Sequence, residues 1–228
     1  MVNLTRIYTR TGDGGQTRLS DMSLTDKTDP RVAAYGDVDE ANSAIGVVLA
    51  TGGLPTEVAA ALSRIQNEMF DLGADLSNPL AADPPYQPLR VTSDYVDRLE
   101  QWCDQFGAEL PSLRSFILPG GTPAAAYLHI ARTVTRRAER SAWTAVHQYG
   151  TEVGTQDRPG GVNLVAVKYL NRLSDLLFIL TRVVNGTSSE VLWVPGGERG
   201  NDPEPEPGQF EPHPPAPDAG DNQDQEQA

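Results

Sequence analysis

Three arginines, Arg132, Arg136 and Arg140, recur every four residues, with Arg137 beside them and Glu139 as the nearby acid. On a helix this spacing lines the guanidinium groups along one face. Each like-charged pair then costs a few tenths of a kcal/mol when exposed, and more where water is excluded. A polyphosphate or the carboxylates of a partner would compensate such a row; a solvated basic face accounts for it equally well. A second candidate is the run Tyr8-Thr9-Arg10-Thr11-Gly12-Asp13-Gly14-Gly15-Gln16-Thr17-Arg18. Its glycines let backbone N–H groups turn inward around an anion, the hydroxyls of Thr9, Thr11 and Thr17 add donors, and Asp13 is a candidate magnesium ligand. No Gly-Lys-Ser/Thr follows, so this is not a Walker A loop, and the candidate lysine, Lys27, arrives later in a loop of its own. Taken alone, the same run also suits a structural hairpin.

Other polar groups interrupt apolar stripes. Val32, Tyr35, Asp39, Asn42 and Gly46 follow three- and four-residue steps, which places Asp39 and Asn42 on a face the apolar spacing marks as covered. Breaking a buried ion pair costs about 3–5 kcal/mol, against about 1 or less for a surface pair, so an arginine of the row is the expected counter-ion of Asp39, in the same chain or another. Further on, Asn171 lies in a polar stripe with Lys168, Asp175 and Arg182; it suits a contact to sugar or base, or simple exposure. Phe116 opens an apolar run that Pro119, Gly120 and Gly121 arrest just before the arginine row, and an aromatic there is either core or lid.

The elements that must position these groups read as helices. Asp29-Pro30 is a cap-and-first-turn pair opening a helix to about Thr51, where Gly52-Gly53 ends it. A second begins near Pro55 and carries Val58, Leu62, Ile65, Met69, Leu72 and Leu76 at bundle spacing. A third, from about Ser93, repeats the pattern through Val96, Leu99, Cys103, Phe106 and Leu110, with Cys103 as a small core residue. The fourth starts at Thr122-Pro123 and runs to about Tyr149; the fifth follows Gly160-Gly161 and stops at Asn185-Gly186. Strand signals are confined to residues 6–9 and 191–194. The expected fold class is all-α, an antiparallel bundle of about five helices.

Composition sets the outer bounds. The chain has 228 residues, 39% hydrophobic and 21% charged, which excludes collagen, coiled rods and disulfide miniproteins. The longest strongly apolar stretch, residues 176–180, is far below the roughly 18 residues of a membrane helix, and the first residues lack a charged-then-apolar leader. A lone cysteine permits neither an intrachain disulfide nor a cysteine-based metal cluster, and the three histidines are scattered. A cytoplasmic protein without nucleic-acid or membrane partners is expected. The net charge is -13, of which residues 198–228, with nine acids, one base and seven prolines, carry -8. That segment is expected to be a disordered acidic, Pro-rich tail behind a folded domain of residues 1–197.

Several of these motifs, in this order, resemble one family. The run 9–17, Asp29-Pro30-Arg31-Val32-Ala33-Ala34-Tyr35-Gly36 with Asp39-Glu40 and Asn42-Ser43, the 116–121 motif, Ala131-Arg132 through Arg140, and Asn171-Arg172-Leu173-Ser174-Asp175 are similar to PduO-type ATP:cob(I)alamin adenosyltransferases over about residues 5–185. Ala41 stands where the family usually has Leu, and the acidic tail is additional. The resemblance implies a homotrimer with ATP and cobalamin at subunit interfaces, and transfer of the 5′-deoxyadenosyl group of ATP to cob(I)alamin with triphosphate released. It further implies that Thr9, Gly12, Gly15, Lys27 and Arg31 hold the triphosphate side with Mg2+, the ion for which Asp13 is the candidate ligand, and that Arg136, Glu139 and Asn171 complete the nucleotide site. Arg132 would pair with Asp39 across the interface, and Phe116 would lie beneath the corrin ring as a wedge that displaces the lower cobalt ligand. A flavoprotein reductant and an adenosylcobalamin-dependent mutase are the implied transient partners. The alternative is a non-catalytic carrier of adenosylcobalamin or nucleotide that delivers cofactor to a mutase.

Overall fold

The protein is described by a computed structural model covering residues 8–197 and Arg199. Five helices dominate: α1 (Pro30–Thr51), α2 (Thr56–Leu76), α3 (Ser93–Gly107), α4 (Pro123–Tyr149) and α5 (Leu164–Asn185), preceded by a hairpin of β1 (Gln16–Arg18) and β2 (Leu24–Asp26). Compactness divides the chain at residues 193 and 194, and the acidic tail expected from residue 198 lies outside the described residues apart from Arg199.

Helix starts follow local chemistry. The Asp29 carboxylate accepts from the Arg31 amide at 2.7 Å and Pro30 occupies the first turn. Thr122 caps α4 through Ala125 N at 3.2 Å, ahead of Pro123. Asn163 caps α5 through Val165 N at 3.0 Å. Gly52 and Gly186 stop α1 and α5 at φ values of 69° and 73°, a region in which a side chain would be strained.

Helix α4 packs against both α1 and α5, α1 also against α2, and α3 against α5. The α2 stripe from Val58 to Leu76 is buried as its spacing requires. Helices α1 and α4, which pack together, carry the fully buried alanines Ala34, Ala41, Ala131, Ala138 and Ala142, and such small side chains allow close approach of backbones. On α1 the buried residues are Arg31, Ala34, Val38, Ala41, Asn42, Ile45 and Val48; Asn42 is covered as expected, whereas Asp39 is exposed, which corrects its covered placement. Helix α3 ends at Gly107, so Leu110 lies beyond it, while Cys103 is half-buried against the core and burial pushes its thiol up to about 11.

Two strand expectations are also corrected. Tyr8 and Thr9 are irregular, residues 6 and 7 lie outside the described residues, and pairing occurs instead at Gln16↔Asp26, Thr17↔Thr25 and Arg18↔Leu24. Here two short segments face each other across a turn, the arrangement in which both satisfy their backbone groups. Around residues 191–194 the pairing among the described residues is the isolated bridge Ile117↔Leu192.

Candidate functional site

The glycine run becomes the loop that enters the hairpin, and the hairpin carries Lys27 back to it. The Lys27 amide donates to Gly15 O at 2.8 Å, and Gly15 N donates to Gly12 O at 3.2 Å. A Cβ on Gly12 would stand 3.0 Å from Lys27 Nζ and 3.2 Å from Gln16 O, so the ammonium lies directly over this glycine. Gly15 sits at φ +85°. Thr9 and Thr11 join their hydroxyls at 2.9 Å, and both are exposed together with Asp13. Thr9, Gly12, Asp13, Gly15 and Lys27 therefore form one exposed loop cluster, with hydroxyls, a carboxylate and an ammonium available to a ligand.

Beside it, a cavity of about 530 Å³ is lined by Thr25, Asp29, Arg31, Tyr149, Arg158 and Gly160, among others. Arg31 reaches this wall, but it is only 2% exposed and its fork is largely committed. Nη1 donates to Leu76 O at 3.0 Å, and Nη2 donates to Gly160 O at 2.9 Å and Gly161 O at 3.3 Å. The guanidinium also stacks 4.9 Å over the Tyr149 ring. Asp29 adds a second tie, accepting the hydroxyls of Thr25 at 2.7 Å and of Tyr149. Burial and the Asp29 carboxylate push the Tyr149 phenol up to about 12, so it stays protonated as a donor. Sequence reasoning did not single out Tyr149, or Gly160 as a packing residue. A Cβ on Gly160 would lie 1.9 Å from Leu80 O, and the Pro159-Gly160-Gly161 run was the available signal.

The arginine row divides. Arg137 turns toward α1, donating to Asp37 Oδ1 at 3.1 Å and to the Glu40 carboxylate. The α1 acids that meet α4 within this chain are thus Asp37 and Glu40. Asp39 is exposed in a groove of about 570 Å³ with Arg18, Tyr35, Asn42 and Phe70, and forms no ion pair with the described residues. Arg132 is half-buried with a buried Nε that lacks a hydrogen-bond partner, and burial together with the Arg136 charge lowers its pKa. Arg136 and Arg140 are exposed. Across the α4–α5 contact, Asn171 Nδ2 donates to Glu139 Oε1 at 3.1 Å, so those two residues do converge one turn from Arg136.

Phe116 stands apart on the connection between α3 and α4. Its side is open, at 78% exposure, and its ring meets the Trp193 ring edge-on at 6.1 Å. An exposed aromatic held this way offers an apolar face to a flat ligand.

A family model described as cobalamin adenosyltransferase matches residues 7–184. The corrinoid adenosyltransferase of Mycobacterium tuberculosis (strain ATCC 25618 / H37Rv) is 58% identical over 198 residues, covering 87% of this chain and 97% of that protein. Corrinoid adenosyltransferase PduO of Citrobacter freundii is 39% identical over 176 residues, covering 77% of this chain and 49% of that protein. Among solved structures, a variant PduO-type ATP:corrinoid adenosyltransferase from Lactobacillus reuteri, complexed with cobalamin and ATP, aligns with a TM-score of 0.72 at 36% identity, covering 82% of this chain and 96% of that one. With a match spanning nearly all of the described helices, the chain belongs to the cobalamin adenosyltransferase family.

Proposed function

We infer that this enzyme transfers the 5′-deoxyadenosyl group of ATP to cob(I)alamin, yielding adenosylcobalamin and triphosphate. The observation that carries the reading is the division of the basic row. Arg137 has two carboxylate partners, whereas Arg132, Arg136 and Arg140 have none among the described residues, on the helix face where Asn171 meets Glu139. A site with cations in excess and a neutral amide alongside fits a nucleotide with its phosphates.

Cob(I)alamin is itself a strong nucleophile, so no nucleophilic side chain is needed. Its cobalt electron pair forms the bond to C5′, the C5′–O bond breaks, and triphosphate departs with that bond's electrons. What the protein supplies is charge stabilisation and aim. Arg136 and Lys27 stabilise the growing negative charge, while the Thr9 hydroxyl and the Gly12 to Gly15 turn, closed by the Gly15 N–H on Gly12 O, shape the phosphate side. Glu139 and Asn171 orient the nucleoside. Arg31, with its fork bound to carbonyls, shapes the wall of the triphosphate side and adds long-range positive charge there.

Magnesium fits this reading as part of the nucleotide complex. Among the described residues no three His, Cys, Asp or Glu side chains converge on a metal position, whereas Asp13 is an exposed single carboxylate on the glycine loop. Mg2+ is commonly held by one or two carboxylates plus substrate phosphates, and Asp13 matches the protein's share of that set. When bound, the ion adds charge compensation at the triphosphate.

The assembly is a homotrimer in which Asp39 of one subunit meets Arg132 of the next. Each is half of an ion pair that its own chain leaves incomplete, an exposed carboxylate without an ion pair and a half-buried guanidinium with an orphaned Nε. Phe116 lies under the corrin and displaces the lower cobalt ligand. The displacement makes cob(II)alamin easier to reduce, with one electron arriving from a flavoprotein, before the product passes to a mutase. No helix among the described residues is long and apolar enough to cross a membrane, and the cytoplasm is the proposed compartment. Incubating the protein with ATP, magnesium and chemically reduced cobalamin tests the assignment. Light-sensitive adenosylcobalamin and free triphosphate are expected in equal amounts, whereas tight binding of both substrates without product would establish a carrier instead.

A further inference from the structure

Phe116 is largely exposed, so the core does not hold its ring in place; the Trp193 ring and its own backbone do. Ser115 Oγ donates to Trp193 O at 2.7 Å, Trp193 N donates to Phe116 O at 2.7 Å, and Leu118 N donates to Val191 O at 2.8 Å. The Phe116 segment is therefore one rail of a short ladder whose other rail is residues 191–193. That second rail would itself be loose without an anchor, since it follows only a single 3-10 turn, Thr187–Ser189. The anchor is Glu190. Its side chain is 8% exposed and faces Arg182 on the last turn of α5, with Nε 2.6 Å from Oε1 and Nη2 3.4 Å from Oε2. The same Nη2 donates to Pro111 O at 2.9 Å, four residues ahead of Ser115 on the stretch that leads into the Phe116 rail.

We propose that Arg182 is a positioning residue for the corrinoid step: one guanidinium on α5 clamps the chain just ahead of each rail of the ladder that carries Phe116, at Glu190 and at Pro111. Asn185, three residues further on, reinforces it by accepting from Thr122 N at 3.0 Å and donating to Ser189 O at 3.2 Å. A planar fork is required because it must reach a carboxylate and a carbonyl in two directions at once, which a lysine ammonium on a single stem does not reproduce. Neither Arg182 nor Glu190 belongs to the proposed nucleotide site. The clamp is thus separable from ATP binding, although it rests on the wedge reading of Phe116.

The test compares Arg182→Lys, Glu190→Gln and Phe116→Ala, singly and with Arg182→Lys combined with Phe116→Ala, in the full chain. Electron paramagnetic resonance of cob(II)alamin bound with ATP reads the fraction whose lower nitrogen ligand is displaced. Turnover is measured from cob(II)alamin with a reductant and, separately, from pre-reduced cob(I)alamin. Arg182→Lys is expected to shift the displaced fraction toward that of Phe116→Ala and to slow turnover from cob(II)alamin about tenfold, because an ångström of misplacement can cost up to about a hundredfold. Turnover from cob(I)alamin and the KM for ATP should change less than about twofold, and the double variant should match Phe116→Ala alone.

Losses that multiply in the double variant, or that fall equally on both cobalamin states, overturn the clamp. So does a wild-type displaced fraction in Arg182→Lys when Phe116→Ala is impaired. If Phe116→Ala itself leaves the displaced fraction unchanged, the wedge reading fails and the clamp falls with it, an outcome the single variants distinguish. Should Arg182→Lys not fold, the isosteric Glu190→Gln carries the same comparisons, and faster hydrogen exchange at the Leu118 and Trp193 amides is expected in it; unchanged exchange there refutes the clamp.

Discussion

Replacing Arg31 by Met separates a structural arginine from a ligand-binding one. The substitution keeps most of the aliphatic stem and removes the fork, leaving Leu76 O and Gly160 O without this donor, Gly161 O with only the Leu80 amide, and Tyr149 without the stacked cation. A buried carbonyl deprived of its partner costs about 1–3 kcal/mol. Solvent in the adjoining cavity offsets part of this at Gly160, so a total of about 2 kcal/mol follows, or about 1 for each of the two carbonyls left without a donor. For a domain of this size each kcal/mol moves Tm by about 2–4 °C, which gives a fall of about 4–8 °C. The assay is thermal unfolding followed by circular dichroism at fixed protein concentration without ATP, since association and ligand both raise the apparent Tm. A Tm within about 2 °C of the parent, together with a sharply raised KM for ATP, would refute the reasoning: the three carbonyl bonds would then contribute almost nothing, and Arg31 would serve the nucleotide directly.

Gly160→Ala should lower stability by about 1–3 kcal/mol in urea unfolding, because a Cβ 1.9 Å from Leu80 O forces the backbone apart; an unchanged midpoint contradicts this. Arg136→Ala should reduce kcat about a hundredfold or more, measured from cob(I)alamin, because departing triphosphate loses an uncompensated cation; near-normal kcat removes Arg136 from the site. His129 is 5% exposed with an orphaned Nδ1, and burial first, then the Arg132 charge, lowers its pKa below the ordinary 6.5. The unfolded chain therefore binds this proton more readily than the folded one, so stability declines as pH falls below about 6.5 until the folded histidine also protonates. His129→Gln should flatten that part of the urea stability profile, and superimposable wild-type and variant slopes between pH 7.5 and 5.5 would exclude the histidine.

Helix ends were readable because their causes are local. Asp29-Pro30, Thr122-Pro123 and the glycines after α1 and α5 act within one turn, and the five elements lie close to where those residues put them. The α2 stripe was readable for a related reason, since large apolar residues contrast with polar neighbours. On α1 that contrast is weak: Ala33, Ala34, Ala41, Ala44, Gly36 and Gly46 fit a buried or an exposed face, and the true stripe runs one position earlier than its spacing suggests except at Asn42, which is buried as expected. The error moved Asp39 from a covered face to an open groove. Within the site, the motifs themselves were visible, but their division of labour was not. Arg31 looked like an anion ligand and is bound to carbonyls from residues 45, 129 and 130 positions away; Tyr149 carries no motif and emerges only where α4 meets Asp29.

The amino-acid sequence by itself therefore determined the number of the helices and their limits other than the end of α3, the family, and the set of residues able to handle phosphate, because caps, periodicity and motifs are properties of neighbours along the chain. Tertiary structure alone decided which arginines are already neutralised. Arg136 and Arg137 are adjacent in sequence, yet a helix turns about 100° per residue, so one meets Asp37 and Glu40 on α1 while the other is left facing outward. Charge compensation depends on distances of a few ångströms between elements far apart in the chain, and only folding sets those distances.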